Sequence, residues 1–274
     1  MGEQRAVTWL RALPLAVAVV LTVTVLVVAG TARAANEYAI PRVGIEPSGK
    51  GSTARPLPVG VLFGLRVSEE DPALRPAPIE SYALAAEGLV VRPRLFASCS
   101  LRRLGRRRGV PRECERAKVG GGRIRGAAGL VEDQTLEGSV PCNLRLRVYN
   151  TGSGMALRLD GQPPVPPGLG SKRLGCPVPV HLAIRVRTVE TRIDGVRSTE
   201  LRYTLPDRLL HPIEGWDASL RLVEVSLDRK RARRGRRTVG FYSAAGCSGA
   251  ERTVRVVFVD PQGGRAEATR STGC

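Results

Sequence analysis

The sequence predicts an all-β fold, a β-sandwich that is jelly-roll-like or Ig-like and stapled by disulfides. Three observations predict it. Short runs of period-2 alternation recur along the chain, Gly- and Pro-rich turns separate them, and six cysteines are spread through the same region.

The elements follow in order. Residues 35–56 are rich in Gly, Pro, Ser and Ala without sustained periodicity and read as a linker or loose arm. Residues 57–274 then read as one β-sandwich domain or two small β units. The first strand is expected over Val59–Val67, and the next between Tyr82 and Leu95. Leu144-Arg145-Leu146-Arg147-Val148 places two arginines on one face and three apolar side chains on the other. Ile184-Arg185-Val186-Arg187, Leu157-Arg158-Leu159, Leu201-Arg202-Tyr203 and Val254-Arg255-Val256 repeat that pattern, so half-buried strands with an arginine-bearing solvent face are expected. Residues 218–228 alternate too, but the phase slips at Leu222-Val223, which predicts a bulge. A short helical turn is expected within Cys99–Lys118, where Leu101 and Leu104 can anchor it and Pro111 keeps it short.

The cysteines are Cys99, Cys114, Cys142, Cys176, Cys247 and Cys274. Their order favours local pairing, 99 with 114, 142 with 176 and 247 with 274, among the connectivities that six allow. Metal ligation has poor support, because there is no C-x-x-C and the only histidines are His181 and His211. No metal and no cofactor is expected.

An even cysteine count fits an oxidising compartment, and the N-terminus agrees. Arg5 and Arg11 precede an apolar run from Leu13 to Ala29 that ends at Ala32-Arg33-Ala34. Residues 1–34 therefore read as a signal peptide, with cleavage between Ala34 and Ala35. The alternative is an uncleaved membrane anchor, since the run lies at the lower limit for spanning a bilayer.

The net charge is +18, and all of the 43 basic residues except Lys50, Lys118, Lys172 and Lys230 are arginine. GC-rich codons produce such a bias; affinity for acidic polymers is the functional reading. Two loop clusters concentrate the charge: Arg102, Arg103, Arg106, Arg107, Arg108 and Arg112, then Arg229, Lys230, Arg231, Arg233, Arg234, Arg236 and Arg237. Guanidinium groups hold phosphate or carboxylate bidentately. Neither cluster has the interleaved aromatics that stack single-stranded bases, so sequence-specific nucleic-acid reading is not expected.

Other chemistries find little foothold. Gly120-Gly121-Gly122 is followed by Arg123-Ile124, not by the G-K-[ST] of a phosphate-binding loop, and reads as a tight turn or bulge. No G-x-S-x-G is present. His181 falls on the outward phase of its strand, and His211 precedes Pro212 in a turn. Glu214 and Asp217 flank Trp216, an arrangement that could serve a sugar site or simply seat a Trp under a loop.

Cys99 and Leu104, followed by Cys114-Glu115-Arg116-Ala117-Lys118-Val119-Gly120-Gly121-Gly122, resemble a segment of a group of secreted actinobacterial proteins of unknown function. That group has a Cys, a short Leu-containing helix, then C-P-x-x-S/A-x-V-G-x-G entering a strand; here Glu115 replaces the Pro. The resemblance implies an exported β-sandwich-like protein and supplies no activity. The functional expectation is a non-catalytic exported structural or binding protein of the cell envelope. The alternatives are an arginine-rich polyanion-binding protein with acidic envelope polymers as partners, and a secreted hydrolase of glycosidase or esterase type using Glu214, Asp217 and His211.

Overall fold

A computed structural model describes residues 36–106, 109–161 and 175–274. The signal peptide expected over residues 1–34, its expected cleavage point, Arg107 and Arg108 lie outside the described residues. No helix among the described residues is long and apolar enough to cross a membrane.

The chain forms β1 (Asn36–Glu46), β2 (Leu57–Pro58), β3 (Gly60–Glu69), β4 (Ser81–Ala86), β5 (Leu89–Val91), β6 (Lys118–Leu130), β7 (Val140–Asn150) and β8 (Met155–Gly161). It continues with β9 (Val180–Ile193), β10 (Val196–Thr204), β11 (Trp216–Leu227), β12 (Arg231–Arg234), β13 (Arg237–Gly240), β14 (Tyr242–Ala244), β15 (Glu251–Val259) and β16 (Arg265–Gly273). Eleven of these make one antiparallel sheet in the order β1-β3-β11-β6-β7-β8-β9-β10-β4-β15-β16. β2, β14 and β5 form a small second sheet, and β12 and β13 a hairpin.

The all-β, disulfide-stapled class is what the sequence predicted. The two faces that a sandwich draws from two sheets come here from two halves of one sheet, which curls into a near-barrel. Phe63, Leu65 and Val67 of β3 share a core with Tyr82 of β4 and with Val254, Val256 and Phe258 of β15. Tyr38 of β1 stacks on Phe258 with ring centroids 4.0 Å apart. A second core gathers Leu144 and Leu146 of β7, Leu159 of β8, and Leu182 and Ile184 of β9. These are the inward residues of the predicted alternation, and burying each such side chain stabilises the fold by roughly 1.5–3 kcal/mol.

Closure explains one correction. Residues 35–56 are not a loose arm throughout: Asn36–Glu46 is β1, paired along β3. The alternation is hidden because the register shifts between Ala39 and Arg42, around Pro41. That irregularity leaves two carbonyls outside the ladder. The Arg270 guanidinium on β16 takes both, donating Nη1–H to Ile40 O at 2.7 Å and Pro41 O at 2.9 Å. A side chain, not a backbone ladder, thus joins the first strand to the last.

The three disulfides pair locally, as expected: Cys99–Cys114, Cys142–Cys176 and Cys247–Cys274. The first staples the excursion between β5 and β6. This carries a one-turn helix α1 (Leu101–Leu104) and, beyond Pro111, a 3-10 turn over Arg112–Ala117. Its apolar side packs Leu104 and Ala117 onto Tyr149 of β7 and Ala156 of β8, covering the outer face of the sheet there. The solvent face expected at Leu157-Arg158-Leu159 is therefore corrected, since Arg158 is 0 % exposed.

The glycine run enters β6 through a register shift between Lys118 and Gly120. Gly122 lies where β11 passes so close that a Cβ would strike the Glu224 carbonyl. The bulge expected near Leu222 is present, between Leu220 and Leu222.

Candidate polyanion interface

The second arginine cluster builds a site from the hairpin upward. β12 and β13 pair Arg233 with Thr238 and Arg234 with Arg237. The turn between them has Gly235 at φ +60°, the first central position that a two-residue hairpin reserves for glycine. The register sets Arg234 and Arg237 directly opposite each other, a pairing of like charges that is mildly unfavourable.

Both side chains line a cleft of about 600 Å³ together with Arg55, Arg92, Thr53 and Thr238. No acid lines it among the described residues. Arg92 follows β5, and Thr53 precedes β2, so the small sheet holds this wall against the hairpin. Beyond Arg92 and Thr53 a second hollow of about 280 Å³ continues toward the β9–β10 hairpin, adding Arg197, Thr188 and Thr199. Its one acid among the described residues is Glu190, already held by Arg197 at 2.7 Å. Burial lowers the Arg92 guanidinium from its ordinary value, and the like charges of Arg197 and Arg234 lower it further. The two hollows adjoin, with Arg92 and Thr53 common to both linings.

Other members of the cluster have different duties. Arg229 donates Nε–H to Pro58 O at 2.9 Å, and Lys230 donates Nζ–H to Arg116 O at 3.1 Å, so these two brace the hairpin. Arg231, Arg233 and Arg236 are exposed, as Arg234 and Arg237 are, but line neither hollow. In the first cluster Arg102, Arg103, Arg106 and Arg112 are exposed and line neither hollow. Arg103 makes only a solvent-open contact to Glu113 at 3.6 Å.

The residues suggested for hydrolysis come together in part. His211 follows the one-turn helix α2 (Asp207–Leu210) and sets Nδ1 2.7 Å from Asp217 Oδ1, with Nε2 3.7 Å from Asp207 Oδ1. Both ring nitrogens face carboxylates. Glu214 is exposed and takes no part, and Trp216 is half-buried against the second core, as a Trp seated under a loop would be.

A network the sequence did not single out lies under the α1 excursion. Asp160 of β8 accepts from Arg147 Nη2 at 2.7 Å and Arg158 Nε at 2.9 Å, and contacts His181 Nδ1 at 3.1 Å. Arg158 also donates Nη1–H to Leu104 O at 2.7 Å, tying the helix to the sheet. Burial alone would raise the Asp160 carboxyl; the hydrogen bonds from Arg158, Arg147 and His181 outweigh it and hold it at about 2. His181 is thus a network member, where the sequence placed it on an open face. The signal was available: Asp160 has the same phase on its strand as Arg158.

Fold and site together define a disulfide-stapled all-β protein with two adjoining arginine-rich hollows. No known protein family, curated protein or solved structure matches the chain.

Proposed function

We propose that this is an exported, non-catalytic binding protein of the cell envelope whose ligand is an acidic polymer. The observation that carries the reading is the pair of hollows: Arg55, Arg92, Arg197, Arg234 and Arg237 with a single acid, Glu190, among their described lining. Guanidiniums that outnumber the acids around them gain charge-assisted hydrogen bonds when phosphate or carboxylate groups arrive. Two adjoining hollows suit a chain of anions better than one compact ion. The three disulfides suit an oxidising compartment. The hydrolase reading is supported less well, because Glu214 does not join His211 and Asp217.

Fluorescence-polarisation titration with labelled polyphosphate and poly(glycerol phosphate) tests it. Four or five neutralised phosphates give a log–log salt slope of about −3. Absence of binding even at low salt would overturn the proposal.

A further inference from the structure

A separate cleft of about 460 Å³ lies on the outer face of the main sheet, lined by Arg66, Arg125 and Arg221. The backbone register brings them together. Arg66 of β3 lies opposite Leu222 of β11, Leu222 opposite Arg125 of β6, and Arg125 opposite Asn143 of β7. Leu220 and Val223 both belong to the interior, so the bulge between them turns Arg221 as well as Leu222 outward. A bulge re-aims a side chain in this way where regular pleating would not. None of the three guanidiniums is in an ion pair among the described residues. Glu224, the nearby acid on the same face, is taken by Arg123 instead.

The cleft also has an apolar side, and its walls are built in advance. Leu74 and Leu136 line it from the two loops that flank it, and Val140 from the start of β7. Those loops are locked together by Arg75, which is 2 % exposed. Its N–H donates to Gln134 O at 2.7 Å, Nη1 to Ser139 Oγ at 2.9 Å and Nη2 to Leu130 O at 2.8 Å. A bridge between Leu74 and Thr135 adds a second tie. The only acid on the described lining, Glu69, is 4 % exposed, and burial pushes its carboxyl up.

We infer that this cleft binds a small amphipathic oxyanion, a carboxylate or phosphate ester whose apolar body lies against Leu74, Leu136 and Val140. Its volume falls in the usual range for small-molecule sites, about 300–1,000 Å³. Three convergent guanidiniums set the charge, and the apolar wall makes the demand that bare phosphate cannot meet. The site is independent of the two arginine-rich hollows, with which it shares no lining residue.

Isothermal titration of the whole protein with matched pairs tests it: phenyl phosphate against inorganic phosphate, and phenylacetate against acetate. The expected result is binding about tenfold tighter for the aromatic member of at least one pair, and the better pair identifies the head group. That advantage disappears in R66Q/R221Q and in L136E, and survives in R234S/R237S. Equal affinity within both pairs, or an aromatic advantage that persists in R66Q/R221Q and L136E, would overturn the assignment. Arg66 and Arg221 are exposed, so their replacement leaves the fold intact.

Discussion

Two arginine-rich regions of this protein are built from the same residue type and do opposite things. Under the α1 excursion, Arg147 and Arg158 are drawn onto Asp160, and the Cys99–Cys114 segment covers them, its Leu104 carbonyl accepting from Arg158. In the arginine cleft, Arg92, Arg234 and Arg237 share a lining that has no acid among the described residues. The first arrangement is what a fold does with charge it must bury. The second leaves its charge open to solvent, where an anion can reach it. Compensation by an acid, not the count of arginines, is what separates scaffold from site.

Breaking the scaffold side should have the largest effect. Arg158→Met leaves Asp160 and the Leu104 carbonyl short of a buried partner, and a loss of about 3 kcal/mol is expected in urea unfolding. Opening the staple above it comes next. Cys99→Ser with Cys114→Ser removes a 15-residue cross-link, for which the chain-entropy estimate is ~3 kcal/mol, less what the excursion retains by packing on Tyr149.

Acid sharpens the same contrast. The folded Asp160 carboxyl, at about 2, lies below its ordinary value of 3.8. Its contribution is therefore complete above about pH 4 and is lost as pH falls toward 2, a decline of about 2 kcal/mol by proton linkage. Asp160→Asn should flatten that part of the stability–pH curve. The arginine cleft behaves inversely: Arg234→Ser with Arg237→Ser should change stability by under about 0.5 kcal/mol. The same double variant should weaken polyphosphate binding about tenfold and make the salt slope shallower by more than 1.

Much of the scaffold is legible in the sequence because alternation reports one face at a time. β3, β7, β9 and β15 are where Val59–Val67, Leu144–Val148, Ile184–Arg187 and Val254–Val256 predict them, and the β11 bulge falls within two residues of the phase slip. β1 is illegible because Pro41 and the register shift beside it break the pattern. Strand order is illegible for another reason. β11 enters between β3 and β6, a pairing set by long-range packing that no local pattern encodes.

The site divides the same way. Arg234 and Arg237 stand out as a charge run, whereas Arg92 and Arg197 are single arginines whose convergence depends on the small sheet meeting the β9–β10 hairpin. Arg158 looks like a solvent-face residue because alternation cannot see what covers a face from outside.

The contrast between the two regions is most directly tested by NMR of the arginine Nε–Hε groups during titration with polyphosphate. The account predicts that the signals of Arg55, Arg92, Arg197, Arg234 and Arg237 move together while those of Arg147 and Arg158 stay fixed. Shifts spread evenly over all exposed arginines, with no preference for the two hollows, would contradict it.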